Sequence, residues 1–231
     1  MANSLRATIE EKLNPQSDIA SAVFAEDFRN RLTLYHALNE DALKKKTFEF
    51  AFCGALRAAG RNAVVIANAT HPGRDIEVDG IAYSCKTEAS QGINKELLTI
   101  SKLMEARWIR DCATSAHYLA QVKDRVLAHL GEYQRIFVLR AFKLPDGRYE
   151  YHLVEIPKSV LMQIGDLREQ DFSPRTVNGS SSARVFDQGA QSFILRLDGS
   201  VEKVTLSALR TRLCISHAVW KVPVGDPSSL G

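Results

Sequence analysis

Asp79-Gly80 lies between two short runs, Asp75–Val78 and Ile81–Cys85, in which polar and apolar residues largely alternate. Asp-Gly in that setting is the strongest short-range signal for a two-residue β-hairpin turn, because a type I′ turn needs positive φ at both central positions. With the turn placed there, Val78 faces Ile81, Glu77 faces Ala82, Ile76 faces Tyr83 and Asp75 faces Ser84. Opposed residues of a hairpin project from one face, as do residues i and i+2 along a strand. Asp75, Glu77, Ser84, Lys86 and Glu88 therefore share one face, while Ile76, Val78, Ile81 and Tyr83 take the other.

An ammonium and two or three carboxylates so arranged admit two readings. One is a solvated hairpin face with cross-strand ion pairs, each worth roughly 0.2–1 kcal/mol. The other is a divalent-metal site for phosphodiester hydrolysis. Hard oxygen ligands with open water positions suit Mg²⁺, and a neighbouring lysine orients or deprotonates the attacking water and offsets phosphate charge. The Cys85 side chain points away from that face, which leaves its backbone carbonyl available to a metal.

The rest of the chain bounds the setting. A chain of 231 residues is long enough to bury roughly 70% of its unfolded surface around one core. A single domain over residues 1–222 is expected, with a flexible tail over 223–231. The first 60 residues read as helix, residues 1–40 forming a helical N-terminal region. Phe48, Phe52, Ala55, Leu56 and Ala59 recur at helical spacing, and Gly60 is placed to end that run. Val64-Val65-Ile66 follows as a strand-like burst before His71-Pro72-Gly73. Residues 94–130 read as two helices, the first with Lys95, Thr99 and Lys102 on one stripe. Arg135–Lys143 and Arg148–Ile156 read as strands, with Pro157 opening a short helix. Residues 165–191 read as a long loop. A hairpin over Ser192–Leu197 and Val201–Leu206 then leads to a strand over Leu213–Val222. Helices first, then strands interrupted by helices, predict an α/β or α+β fold with a mixed sheet.

Several function classes drop out. No Walker loop, GxGxxG, GxSxG or HExxH occurs, so no nucleotide cofactor is expected. The cysteines at 53, 85, 112 and 214 and the six histidines lack metal-ligand spacing. Scattered cysteines and no leader segment predict reduced thiols in the cytoplasm. The longest apolar stretch, Ala63–Ala67, is too short to cross a bilayer. Lys and Arg number 30 against 27 Asp and Glu, a net charge of +3, which permits a nucleic-acid partner without requiring one.

Pro72…Asp75…Ser84-Cys85-Lys86 resembles the PD-(D/E)XK nuclease motif, and the surrounding residues resemble the SmaI-type type II restriction endonucleases. The similarity includes Lys86-Thr87-Glu88-Ala89, Ser101-Lys102 with Met104-Glu105, Arg135-Ile136-Phe137 with Leu139-Arg140 and Phe142-Lys143, Leu153–Ser159, and His217-Ala218-Val219-Trp220. The resemblance implies a restriction-endonuclease-like core, a mixed central sheet flanked by helices. It further implies Mg²⁺-dependent cleavage of double-stranded DNA by a homodimer at a G+C-rich palindrome, CCCGGG in that family.

Asp75 would then be a metal ligand with the Cys85 carbonyl, and Lys86 the water-orienting group. This sequence departs from the motif at Ser84, where an acid is usual. Glu49 from the preceding helix, Glu88 on the same face as Lys86, and Glu77 are the carboxylates able to replace it. Lys95, Thr99, Lys102, Arg140 and Lys143 are candidates for holding DNA, although Arg140, among apolar strand neighbours, suits a structural ion pair slightly better than a phosphate contact. Arg168, Arg175, Arg184 and Arg196 are candidates for reading guanine. Two other functions share these residues: a repair or mobile-element nuclease of the same fold, and a catalytically inactive DNA-binding relative.

Overall fold

The computed structural model describes residues 10–66, 73–90 and 92–225. Strand β1 (Glu10–Leu13) precedes helices α1 (Ala22–Leu38) and α2 (Lys45–Ala58), after which come β2 (Ala63–Val65), β3 (Ile76–Val78), β4 (Ile81–Glu88) and β5 (Leu97–Glu105). Helix α3 (Ser115–Gln121) continues through a π-helical turn (Val122–Val126) into α4 (Leu127–Gly131). Strands β6 (Arg135–Lys143) and β7 (Tyr149–Ile156) and helix α5 (Lys158–Met162) follow, then β8 (Ser181–Asp187), β9 (Ala190–Asp198), β10 (Lys203–Arg210) and β11 (Ile215–Val222).

Seven strands form a mixed sheet in the order β1-β11-β7-β6-β4-β3-β2. Within it β4 and β6 run parallel and the other neighbours antiparallel. A second, antiparallel sheet has the order β5-β10-β9-β8. The α/β reading, a mixed central sheet flanked by helices, matches this architecture. Each face of the larger sheet is covered. On one side α1 and α2 bury Phe24, Phe28, Phe48 and Phe52 against Tyr83, Phe137 and Trp220. Rings there meet at 4.9 Å (Phe28–Trp220) and 5.1 Å (Phe52–Phe137), within the range of favourable aromatic pairing. On the other side Ala82, Ile136, Val138 and Val154 pack against the second sheet and the helices over 115–131.

Local chemistry explains the elements that were read correctly. Asp79 and Gly80 both take positive φ, 51° and 79°, and the expected pairs Val78–Ile81, Glu77–Ala82 and Ile76–Tyr83 form. Ile76, Val78 and Tyr83 are fully buried as the register requires, while Ile81, beside the turn, is partly exposed. Ser21 caps α1 by accepting from the Phe24 N–H, and Gly60, at φ 83°, follows the C-terminus of α2.

Three expectations are corrected. Residues 97–105, read as helix, are β5. Register shifts against β10 between its pairs with Ile100 and Met104 break the two-residue period, so Ile100 and Leu103 acquire the three-residue spacing of a helix. Residues 165–191, read as a loop, contain β8, in which Ser181, Ala183 and Val185 are buried and paired to β9. Small residues and the preceding Asn178-Gly179 turn hid that alternation. The all-helical N-terminal region is interrupted by β1, whose Glu10–Leu13 pair with Ala218–Lys221 from the far end of the chain. Pro72, residues 1–9 and residues 226–231 of the expected tail lie outside the described residues.

Candidate active site

β3 pairs with β4 only as far as Ile76–Tyr83, so the next part of β4 has a free edge. Asp75 occupies it. Its N–H donates to the Tyr83 carbonyl at 2.9 Å, and its Oδ2 accepts from the Cys85 N–H at 2.7 Å and from Ser84 Oγ at 3.2 Å. The carboxylate thus stands in for a missing strand, which fixes it at the point where the strands part.

The other carboxylate comes from the opposite layer. The α2 residues Lys45 and Glu49 are one helical turn apart, and Lys45 Nζ bridges Asp75 Oδ1 at 2.6 Å and Glu49 Oε1 at 2.9 Å. Lys46 holds the second Glu49 oxygen at 3.2 Å. Glu49 is nearly buried, with 6% of its side chain exposed, yet it is placed beside Asp75. The Asp75 and Glu49 charges both push the buried Cys85 thiol upward, after burial itself, so that thiol stays protonated.

Lys86 lies beside Asp75, Lys45 and Gly73 in the wall of a cavity of about 810 Å³. The far wall is β5, from Ile100 to Glu105, and the helical segment that presents Arg125, Ala128, His129 and Glu132. Among the described residues the Lys86 amine has no hydrogen-bond or ion-pair partner. Burial pushes its pKa down, Asp75 pulls it back up, and Lys45 adds to the depression. A half-buried amine facing a cavity, loosely held and easier to deprotonate than usual, suits work on a water molecule.

Glu88 shares that face of β4 but is committed elsewhere. Its Oε2 accepts from Arg140 Nε at 2.5 Å and its Oε1 from the Thr99 N–H at 2.8 Å. Arg140, 1% exposed, spends its remaining donors on the carbonyls of Lys95, Asn94 and Leu97 at 2.6–3.0 Å. The phosphate role considered for Arg140 is therefore corrected. It is the buried structural pair that ties β6 to the approach to β5.

The helical stripe of Lys95, Thr99 and Lys102 is likewise corrected, since Thr99 and Lys102 lie on β5 and Lys95 precedes it. Lys95 donates to Glu150 at 2.5 Å, and Lys102, at the cavity, to Glu105 at 2.6 Å. Lys143 is exposed at the end of β6, near a second cavity beside Ala89 and Ser90. Glu77 is exposed on β3. Of the candidate base readers, Arg175 donates to the Cys112 carbonyl at 2.9 Å and Arg196 to Ser207 Oγ at 2.8 Å, while Arg184 is exposed on β8. Neither these three nor Arg168 lines the cavity that holds Asp75 and Lys86.

Sequence reasoning missed Lys45, Arg125, His129 and Glu132. A signal existed for the last three, because positions 125, 128, 129 and 132 follow the spacing of one helical face.

Residues 2–222 match the family described as "SmaI: Type II site-specific deoxyribonuclease". The chain is 34% identical over 216 residues to the type II restriction enzyme SmaI of Serratia marcescens, covering 91% of this chain and 84% of that protein. This chain belongs to the SmaI family of type II site-specific deoxyribonucleases. No solved structure matches it. The mixed seven-stranded sheet, with a second sheet and flanking helices, is a restriction-endonuclease-like core. Enzymes of this SmaI type cleave DNA at defined sites, and type II restriction enzymes generally use a divalent metal ion. Among the described residues no helix is long and apolar enough to cross a membrane.

The histidines built into this SmaI-family core make its stability pH-dependent. Burial lowers the pKa of His36 and His152 and takes His129 from 6.5 to about 4. Between those values the unfolded chain binds protons that the folded chain refuses, so stability falls as pH drops. The urea midpoint is expected to be lower at about pH 5 than at pH 7. A midpoint that holds or rises on acidification would contradict burial of neutral imidazoles.

Proposed function

We propose that this enzyme is a Mg²⁺-dependent homodimer that cuts duplex DNA within a G+C-rich palindrome, with CCCGGG as the candidate site. The observation that carries the active-site assignment is the Lys45 ammonium held between the Asp75 and Glu49 carboxylates, two acids already arranged around a cation. Among the described residues no three His, Cys, Asp or Glu side chains cluster as a metal site. Mg²⁺ nevertheless commonly takes one or two carboxylates and completes its shell with water and substrate phosphate. The donor set fits that habit. Asp75, Glu49 and the Cys85 carbonyl would hold the ion in place of the Lys45 ammonium. The Cys85 N–H faces Asp75, and in extended chain the carbonyl of the same residue leaves from that edge too.

When bound, Mg²⁺ supplies Lewis-acid stabilisation of charge on the phosphate. Lys86 orients the attacking water and accepts or relays its proton, while Ser84, donating to Asp75, positions the ligand in place of an acid of its own. Glu49 thereby replaces the acid missing at Ser84, and Glu88 does not. Glu49→Gln is expected to lose cleavage with Mg²⁺ while Glu88→Gln retains it, in matched single-turnover assays. Normal cleavage by both variants would remove both residues from the metal site.

Incubation with plasmid and Mg²⁺ separates the functions. Discrete fragments support this reading, random nicking a repair-type nuclease, and a gel shift without cleavage an inactive DNA-binding relative. A homodimer suits a palindrome because protein and site share a two-fold axis, and sedentary elution at monomer mass with bound duplex would exclude it. A net charge of +3 cannot hold a duplex in bulk, so the basic residues must act locally. With several phosphate contacts per subunit, log K against log salt should fall with a slope of roughly −5 or steeper. Lys102→Ala should shallow it by about one unit per contact, with the preferred sequence unchanged.

A further inference from the structure

His129 lies across the cavity from β4, and its Nε2 is one of the few buried side-chain polar atoms with no partner among the described residues. The residue is 8% exposed. Buried polar atoms are nearly always paired, so an orphan in the wall of a reaction cavity asks for a partner that arrives with substrate. The Leu103 backbone pulls the imidazole pKa up, against the larger downward effect of burial. A neutral ring with its proton on Nδ1 offers a lone pair at the unpartnered Nε2. Burial keeps the ring neutral, and the nearby Lys86 charge adds to that effect.

Lys86 is the complementary orphan: an amine with up to three donors, lining the same cavity, with no partner among the described residues. The chain is also shaped around the imidazole. A Cβ on Gly73 would stand 2.8 Å from His129 Cε1 and 3.1 Å from a Tyr133 ring carbon, and Gly73 has φ 98°. Glycine two residues before Asp75 therefore leaves the space that the ring fills.

We infer that His129 is a positioning residue for cleavage, its Nε2 accepting a hydrogen bond from Lys86 or from the water that Lys86 orients. This rests on the reading of Lys86 as the water-orienting group. His129→Leu keeps bulk without an acceptor, whereas His129→Gln restores an oxygen near the Nε2 position. Neither variant keeps the imidazole Nδ1, so a difference between them reports on an acceptor near the Nε2 position. His129→Leu should lower the single-turnover cleavage rate about 10–100-fold, the usual cost of removing a group that orients a catalytic residue. DNA affinity and KM should stay within about twofold, and His129→Gln should recover most of the rate.

Wild-type rate in His129→Leu overturns the inference, as does a loss that His129→Gln shares in full. Side-chain nitrogen NMR of the unaltered enzyme should show the proton on Nδ1, and a proton on Nε2 also overturns it. If Lys86→Ala is inactive while His129→Leu is fully active, only this inference fails. If Lys86→Ala cleaves normally, the reading beneath it fails first.

Discussion

Lys86→Met is expected to lower cleavage by roughly 10²–10⁴-fold, the usual contribution of a positioned acid–base group, while leaving the protein as stable as before or more so. The two halves of that expectation share one cause. Lys86 is an amine taken into the protein with no hydrogen-bond partner among the described residues and with its pKa pushed down by burial. Holding a desolvated cation that no hydrogen bond or ion-pair contact compensates is costly, so an apolar side chain of similar length should relieve the fold. Residues that lower stability where they stand are commonly those that function keeps. Asp75→Asn should be as inactive, since a neutral amide is a poor ligand for Mg²⁺. It is expected to cost some stability as well, because Asp75 Oδ2 accepts from the Cys85 N–H at 2.7 Å on the edge left open by β3. Thermal melting beside single-turnover cleavage checks both variants. Undiminished cutting by either would falsify the assignment, and a large loss of melting temperature in Lys86→Met would refute the account of its burial.

Arg140→Met is expected to destabilise the fold by about 3–5 kcal/mol, the cost of breaking a buried ion pair from one side. The arginine is 1% exposed, and its loss strands the Glu88 carboxylate, which burial already pushes toward protonation against the pull of Arg140. It also abandons the three carbonyls of Asn94, Lys95 and Leu97 that it gathers. Those carbonyls lead directly into β5, the far wall of the catalytic cavity. Cleavage should therefore fall as the wall loosens, yet recover at low temperature where the variant is folded. A double replacement, Arg140→Met with Glu88→Leu, removes both charges and should regain much of the lost stability. Urea titration decides the matter, and a single variant within about 1 kcal/mol of wild type would show that the pair is not the tie described.

The catalytic hairpin was legible because everything that shapes it is local. Asp79-Gly80 selects a turn type by backbone sterics, the turn sets the register as far as Ile76–Tyr83, and that pairing brings Asp75 alongside Ser84 and Cys85 without reference to the rest of the chain. Strands β6 and β7 were legible for a related reason, since long apolar runs bounded by Pro145-Asp146-Gly147 declare themselves. β5 and β1 did not, because their hydrogen-bond partners lie far away in sequence, whereas β8, paired to the adjacent β9, was hidden by its small residues. β5 takes its form from β10, about a hundred positions on, and the irregular register between them imitates a helical period.

The candidate site divides in the same way. The sequence by itself determined that an acid and an amine would share a strand-pair face, that Ser84 would leave that face short of one carboxylate, and that Glu49 and Glu88 were both available to supply it. Only the tertiary structure decided which neighbours each of them takes. Both lie at positions consistent with the site, but packing α2 against one face of the sheet brings Glu49 to Asp75 through Lys45, while folding β5 over the other face surrounds Arg140 with carbonyls and draws Glu88 to it. Which partner a charged group takes depends on what else is buried beside it, because leaving a buried charge unpaired is costly. Spacing along the chain carries no record of that competition, nor of the packing that sets the His129 imidazole against Gly73.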